Sequence, residues 1–449
     1  MKRVLALILA LVMLCALTAC GNSANAPASS SAETSAPAAE PASDGEASGA
    51  EEHKPVTLRV YVRYSDDDTI LPYDYFAECL AKDMPWVTLE LDPMPADDGV
   101  KLKSMAATGD LPDIFALTGT AMIDSMVEAG AVKDMTAAIK ANGFFDKILP
   151  SCYANLYHTD GLAYTLPYKG GEVTLLYVNS SLFEKYNVEY PTTIDEWIKA
   201  CEVFSANGIT PLPIFGKEQW ITNALYDALV SRYIPDGLCS LQEGTHNIRE
   251  EAFLLAAKDL EKMQAAGAFP AGVTTLNYEQ ATELWYNDQA AMFLNGEWEV
   301  PTSTEKMGDK VTWIPFPGTS EESYEESQHW FVGGKGAASG WAVSAWSENY
   351  DVALEVACYM AEKYSEYNYA YRGSTSNAIK TDLEVQVELP PMILKLGEAR
   401  QLSTSVTTMA GMGPNMELYT VLGEGTQSLL AGVMTAEEFI ESVAAVTGD

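Results

Sequence analysis

Histidine is nearly missing from this chain, with four in 449 residues. His53 lies in a low-complexity stretch, and no two of His158, His246 and His329 stand at metal-ligand spacing, so no zinc site is expected. The motifs of covalent catalysis are absent as well. There is no GxSxG nucleophile elbow. The glycine run Gly333 to Gly340, GGKGAASG, lacks both the Gly-Lys-Ser/Thr ending of a phosphate-binding loop and the GxGxxG spacing of a dinucleotide fold. It reads as a flexible loop entering the strand GWAVSAW. Asp66 to Asp68 lacks the alternating ligands, glycine and glutamate of an EF-hand loop. That leaves a solvated loop, or carboxylates at a strand's C-terminal edge facing a ligand cleft. No cofactor is implied.

Positive charge is scarce too. Lys and Arg number 27 against 63 Asp and Glu, a formal −36. Binding to a phosphate backbone needs clustered cations, so nucleic acid is excluded as a partner. The many carboxylates guarantee chance pairs, and nothing marks two of them as the acid and nucleophile of a glycosidase.

Cysteine is sparse and odd in number beyond Cys15 and Cys20. Cys79, Cys152, Cys201, Cys239 and Cys358 are widely spaced and form no dense disulfide framework. Cys79 and Cys201 fall in apolar helical patterns and are expected to be buried thiols. Past the first residues no run reaches about 18 apolar residues, the length that spans a bilayer. The start is different. Met1-Lys2-Arg3 precedes the apolar Val4 to Leu17, then LTAC and Gly21, which is the form of a lipoprotein signal with lipidation expected at Cys20. Residues 1–20 are read as that signal and 21–54 as a spacer of Ala, Ser, Pro, Gly and Glu. The spacer has too little apolar surface to offset the entropy of ordering. An exported chain tethered to the outer face of the cytoplasmic membrane is expected.

The remainder alternates strand and helix patterns. VTLRVYV (Val56–Val62), WVTLEL (Trp86–Leu91) and LPDIFAL (Leu111–Leu117) read as strands with helix-length stretches between them. That order indicates βαβ units and a largely parallel sheet. Capping boxes are legible at Ser181/Glu184, Thr193/Glu196 and Thr435/Glu438. In TIDEWIKACEVFSANG, helical periodicity puts Trp197 on a core face.

Several segments in order resemble the type 1 extracellular solute-binding proteins of ABC importers, especially the sugar-binding lipoproteins. They are GDLPDIFAL, the block Gly161 to Leu212, QAAMFLNGEWEV, and GWAVSAWSENYDVALEVACYMAE. The chain departs from the family pattern where Val178 precedes Asn179 and where Asp288 replaces a frequent glycine. The resemblance implies an α/β, two-lobed periplasmic-binding-protein-like (type 2) fold with three interlobe crossings. The crossings are expected near Lys169–Val173, Val311–Pro315 and Arg372–Asn377. Lobe one would hold residues 55–170 and 314–373, and lobe two 171–313 and 374–449.

The same resemblance implies that Trp298 lines a sugar pocket, with its face packed on pyranose C–H groups. Trp220 and Trp341 are further stacking candidates, although the alternation of Trp341 with Val343 suits core packing equally. Tyr64, Asp66, Glu172 and Arg372 are candidate polar partners, Arg372 for ligand oxygens or a nearby acid. The implied protein is no enzyme. It is a monomeric receptor that takes a carbohydrate, an oligosaccharide in the first instance, and passes it to ABC permease subunits. The alternatives are a same-fold receptor for a peptide, polyamine or metal, and a secreted glycoside hydrolase.

Overall fold

The alternation in VTLRVYV becomes β1 (Val56–Val62), the first strand of a computed structural model that describes residues 53–409 and 412–448. The expected leader, Cys20 and most of the spacer lie outside the described residues. His53, placed in the spacer by sequence, instead stacks on Trp86 with ring centroids 4.3 Å apart. Among the described residues no helix is long and apolar enough to cross a membrane.

Two sheets organise the chain. The first runs β2 (Val87–Pro93), β1, β3 (Ile114–Thr118), β8 (Ser339–Val343). β1 is parallel to β2 and β3, as the βαβ reading requires, and β8 joins antiparallel to β3. The second sheet is built on β4 (Val173–Asn179), which is buried at every position. It pairs antiparallel with β5 (Met292–Gly296), β6 (Val311–Ile314) and β7 (Trp330–Gly334), and only β7 and β9 (Ser405–Thr407) are parallel. A largely parallel sheet therefore holds for the first and fails for the second, where strands return to β4 after long helical excursions.

Each sheet has its own core. Val173, Trp197, Phe215, Trp285 and Phe293 belong to one, and Leu58, Phe76, Ile114 and Trp341 to another. Trp197 is buried, as its helical face predicts. Of the predicted cysteines, Cys201 is buried and Cys79 only half-buried, and all five described cysteines are free thiols.

The chain leaves the first core at Lys169–Glu172 and enters β4. The passage expected at Val311–Pro315 is not where it returns. β6 and β7 both pair with β4, and Phe316, Phe331 and Val332 pack in the second core. The chain reaches the first sheet only between Gly334 and Ser339, through the glycine-rich loop. Close approach explains the glycines here: a Cβ on Gly171 would stand 2.1 Å from the Gly334 carbonyl oxygen. After the helix Tyr350–Arg372, Ala378 and Ile379 still pack in the first core, and Leu389 is the next residue against the second.

Local signals fared well where they were self-contained. The boxes at Thr193/Glu196 and Thr435/Glu438 form as drawn. The helix Ser180–Tyr186 is capped by Asn179, two residues before Ser181, because it begins directly after β4 and the Asn179 side chain accepts from Leu182 N at 3.2 Å. Asp288 takes φ 57°, the left-handed region a glycine would supply, and is held there by Asn179 and Lys310.

Candidate functional site

β5 ends at Asn295-Gly296, where the Asn295 amide bonds Tyr278 and Glu299. The chain turns there, and Trp298 emerges at the head of the helix Glu299–Met307. Its ring lies against the Gly296 backbone, where a Cβ would be 2.0 Å from a ring carbon. Trp298 is half-buried and borders three adjoining cavities of the cleft. Trp220, at the start of the helix Gln219–Val230, meets it with centroids 5.6 Å apart and planes at 54°. The Trp220 indole N–H donates to Glu218 at 3.0 Å, which fixes its orientation. The two indoles form an aromatic corner.

The cavity that the corner faces measures about 240 Å³. Its other walls come from both lobes and from two of the crossings: Thr118 at the end of β3, Asn155, Tyr168 to Glu172, and Gly334 to Ala337. Asn155 is buried and its amide N–H donates to the Ala337 carbonyl at 3.3 Å, while its side-chain oxygen has no protein partner. That oxygen has no accessible surface and is enclosed against Gly336, so the polar surface offered to a ligand on this side is the exposed Thr118.

Charge is concentrated beneath Trp298. Lys169 Nζ lies 3.2 Å from Asp68 and 3.1 Å from Glu172. Arg372 stands 3.5 Å from Asp68, and Arg400 pairs with Glu297. Three cations thus meet three carboxylates. Burial by itself would lower the Lys169 pKa, but Asp68 and Glu172 outweigh it and raise it. Burial pushes Glu172 up, and it pushes Glu297 to about 7 against the pull of Arg400. Glu299 is likewise raised to about 7 by burial, although Tyr286, Ser303 and Tyr278 donate to it.

The candidates read from sequence separate into three groups. Trp298 and Trp220 share the cleft. Glu172 and Arg372 border it, but their charges are taken by the ion-pair cluster, and Arg372 is only 9% exposed. Asp66 lines a neighbouring cavity and caps the helix Asp67–Asp83 through Thr69. Tyr64 turns away to Asp74 at 3.1 Å and borders none of these cavities. Trp341 is corrected to core: 2% exposed, it lies flat on Tyr168 with planes 5° apart. Its backbone pairs with Leu166, which carries Tyr168 between it and the cleft. Sequence reasoning missed Asp68, Lys169 and Asn155, since it weighed the aspartate triplet as a unit and nothing local marks the other two. Among the described residues no group of three or more His, Cys, Asp or Glu is placed to hold a metal.

Residues 71–364 match the family described as bacterial extracellular solute-binding protein. The Multiple sugar-binding protein of Streptococcus mutans serotype c is 25% identical over 289 residues, 61% of this chain and 64% of that one. A Probable sugar-binding periplasmic protein of Brucella melitensis biotype 1 is 25% identical over 165 residues, covering 35% of this chain and 38% of the relative. The chain thus aligns with less than two thirds of either relative's length. A solved structure concerned with xylan utilization by Caldanaerobius polysaccharolyticus has a TM-score of 0.77 at 24% identity, covering 87% of this chain and 100% of the other. A chitin oligosaccharide binding protein has a TM-score of 0.74 at 24% identity, covering 88% and 98%. These likenesses carry the two-lobed α/β fold, and the matched span decides the membership: the chain belongs to the bacterial extracellular solute-binding protein family.

Proposed function

We propose that the protein is a carbohydrate receptor that closes its two lobes on an oligosaccharide and delivers it to an ABC permease. The observation that carries this reading is the corner of Trp298 and Trp220 facing a cavity bordered by the exposed Thr118 and the loop Gly334 to Ala337. Pyranose C–H faces pack on indole while ring-edge hydroxyls reach polar groups at the sides. Adjoining cavities on both sides of Trp298 give room for more than one sugar unit. Two relatives named as sugar-binding proteins support the same class. In this reading the chain works as a monomer that performs no chemistry, exported by its leader and held to the outer face of the membrane through Cys20.

The test is thermal unfolding against xylo-, chito-, malto- and raffinose-type oligosaccharides, with peptides, polyamines and divalent metals as controls. A ligand at 100 times its dissociation constant adds about 2.7 kcal/mol of stability. A shift with one oligosaccharide series is expected. A shift with peptides, polyamines or metals alone would keep the fold and overturn the ligand class.

A further inference from the structure

Beyond Trp220 the cleft opens into a second chamber of about 250 Å³, reached through the shared Ala116, Thr118, Met409 and Met412. Its character changes there. Met94, Leu117 and Met122 form the wall on one lobe, and Ala224, Val332 and Met416 the wall on the other. Inward of Thr118 at the mouth, the carboxylates and the hydroxyl that border it are already engaged. The Asp227 carboxylate accepts from Leu238 N at 2.6 Å and from Thr407 Oγ1 at 2.9 Å, and the Tyr419 hydroxyl turns to Asp98 at 3.5 Å. A sugar ring placed in this chamber would give up its water hydrogen bonds and find few replacements. An apolar group would give up nothing.

We propose that this chamber is a subsite for an aryl group carried on the ligand, so that the preferred solute is an aryl-substituted glycoside. This inference rests on the carbohydrate reading above. The aromatic ring is favoured over an alkyl chain because methionine sulfur packs well at ring edges and its unbranched side chain adapts to irregular shapes. The rings of Trp220 and Tyr419 add aromatic neighbours. Size agrees, since a dry cavity of about 150 Å³ is enough to hold benzene. Continuity decides between a free aromatic and a substituent: the chamber shares Trp220 with the sugar-facing cavity, so one molecule can occupy both.

The experiment is calorimetric titration of the protein with matched methyl and phenyl glycosides of glucose, galactose, xylose and N-acetylglucosamine and of their disaccharides. Benzyl alcohol serves as the sugar-free probe. Within the sugar series that binds, the phenyl glycoside is expected to be at least about tenfold tighter, or about 1.4 kcal/mol. Met416→Gln and Met94→Gln, each half-buried and bordering only the second chamber, should bring the phenyl compound to within about threefold of the methyl one. The same variants should leave methyl glycoside affinity unchanged. Equal binding of methyl and phenyl compounds by the parent protein would refute the aryl subsite while the carbohydrate reading stands. Loss of methyl glycoside affinity in the methionine variants would make the chamber a sugar subsite instead. Binding of neither glycoside would remove the carbohydrate reading and this inference with it. Benzyl alcohol as tight as the phenyl glycosides would overturn both in favour of an apolar solute.

Discussion

Trp298 and Trp341 offer a matched pair for testing which indole meets the ligand. A tryptophan side chain presents about 150–250 Å², and Trp298 is only partly exposed, which leaves at most roughly 80 Å² for a bound sugar. At about 25 cal/mol per Å² that face contributes around 2 kcal/mol, close to a 30-fold change in affinity. Trp298→Ala is therefore expected to weaken the binding oligosaccharide by about that factor. Its cost in stability should be smaller than that of a fully buried tryptophan, because part of the ring meets solvent. Trp341→Ala reverses the pattern. It removes a ring that is 2% exposed and lies 4.4 Å from Tyr168. The cavity so created should cost about 3–5 kcal/mol of stability, with affinity nearly unchanged in whatever fraction stays folded. Calorimetric titration and urea unfolding of both variants give four numbers. If Trp298→Ala binds within twofold of the parent while folded Trp341→Ala loses the ligand, the assignment of the aromatic corner is wrong.

Three further perturbations probe the supports of the site. Gly296→Ala puts a methyl 2.0 Å from the Trp298 ring, so it should displace the indole and lower affinity at least about tenfold by titration without removing an aromatic group. Lys169→Met leaves Asp68 and Glu172 without their shared cation; it should cost on the order of 3 kcal/mol at pH 7.5 and less at pH 5, where protonation relieves the repulsion, as read by urea midpoints. Glu299 keeps its proton in the folded protein up to about 7, whereas 4.5 is its ordinary value; a raised carboxyl pKa means that stability falls as pH climbs through that window, by at most about 1.4 kcal/mol per pH unit for each such group. Glu299→Gln should make that decline shallower between pH 4.5 and 7, and an unchanged slope would contradict the burial argument.

What was legible in the sequence was mainly local. Thr193 and Glu196 lie three residues apart and close their box without help from the rest of the chain. The strand alternation in β1 likewise follows from residue spacing and one buried face. The site depends on contacts that spacing does not encode. Trp298 and Trp341 both follow small residues near a strand, and only the pairing of Leu166 with Trp341 decides that one is covered by Tyr168. Lys169, Arg372 and Arg400 come from three distant segments, so their meeting with Asp68, Glu172 and Glu297 appears only once the crossings are placed. The second crossing was displaced for a related reason. A glycine-rich loop marks flexibility, but not which sheet receives the strand before it, and β7 pairs with β4 at Val173 and Thr174.

The distribution of groups across the cleft implies an order of events. Trp220 and Trp298 both belong to the second lobe, whereas Thr118 and Asn155 belong to the first. Among the described residues, direct ties between the lobes include Arg63 to Glu218 at 3.7 Å, Tyr419 to Asp98 at 3.5 Å, Arg372 to Thr302 at 3.4 Å and a Gln219 backbone N–H donating to the Asp98 carboxylate. Each is a single polar contact, and a ligand that bridges the lobes adds to them. A ligand favours closure only through groups it meets better in the closed state. Stacking on the aromatic corner occurs with either lobe arrangement and shifts nothing; the contacts to the first lobe supply the difference. Thr118→Ala, which removes an exposed first-lobe hydroxyl from the cavity wall, should then weaken binding by only about five- to tenfold, the worth of one hydrogen bond. It should nonetheless reduce the ligand-induced fall in radius of gyration measured by small-angle scattering at saturating sugar. Trp298→Ala, once saturated, should compact fully in spite of its weaker affinity. Full compaction of saturated Thr118→Ala, or failure of saturated Trp298→Ala to compact, would refute this division of labour between the lobes.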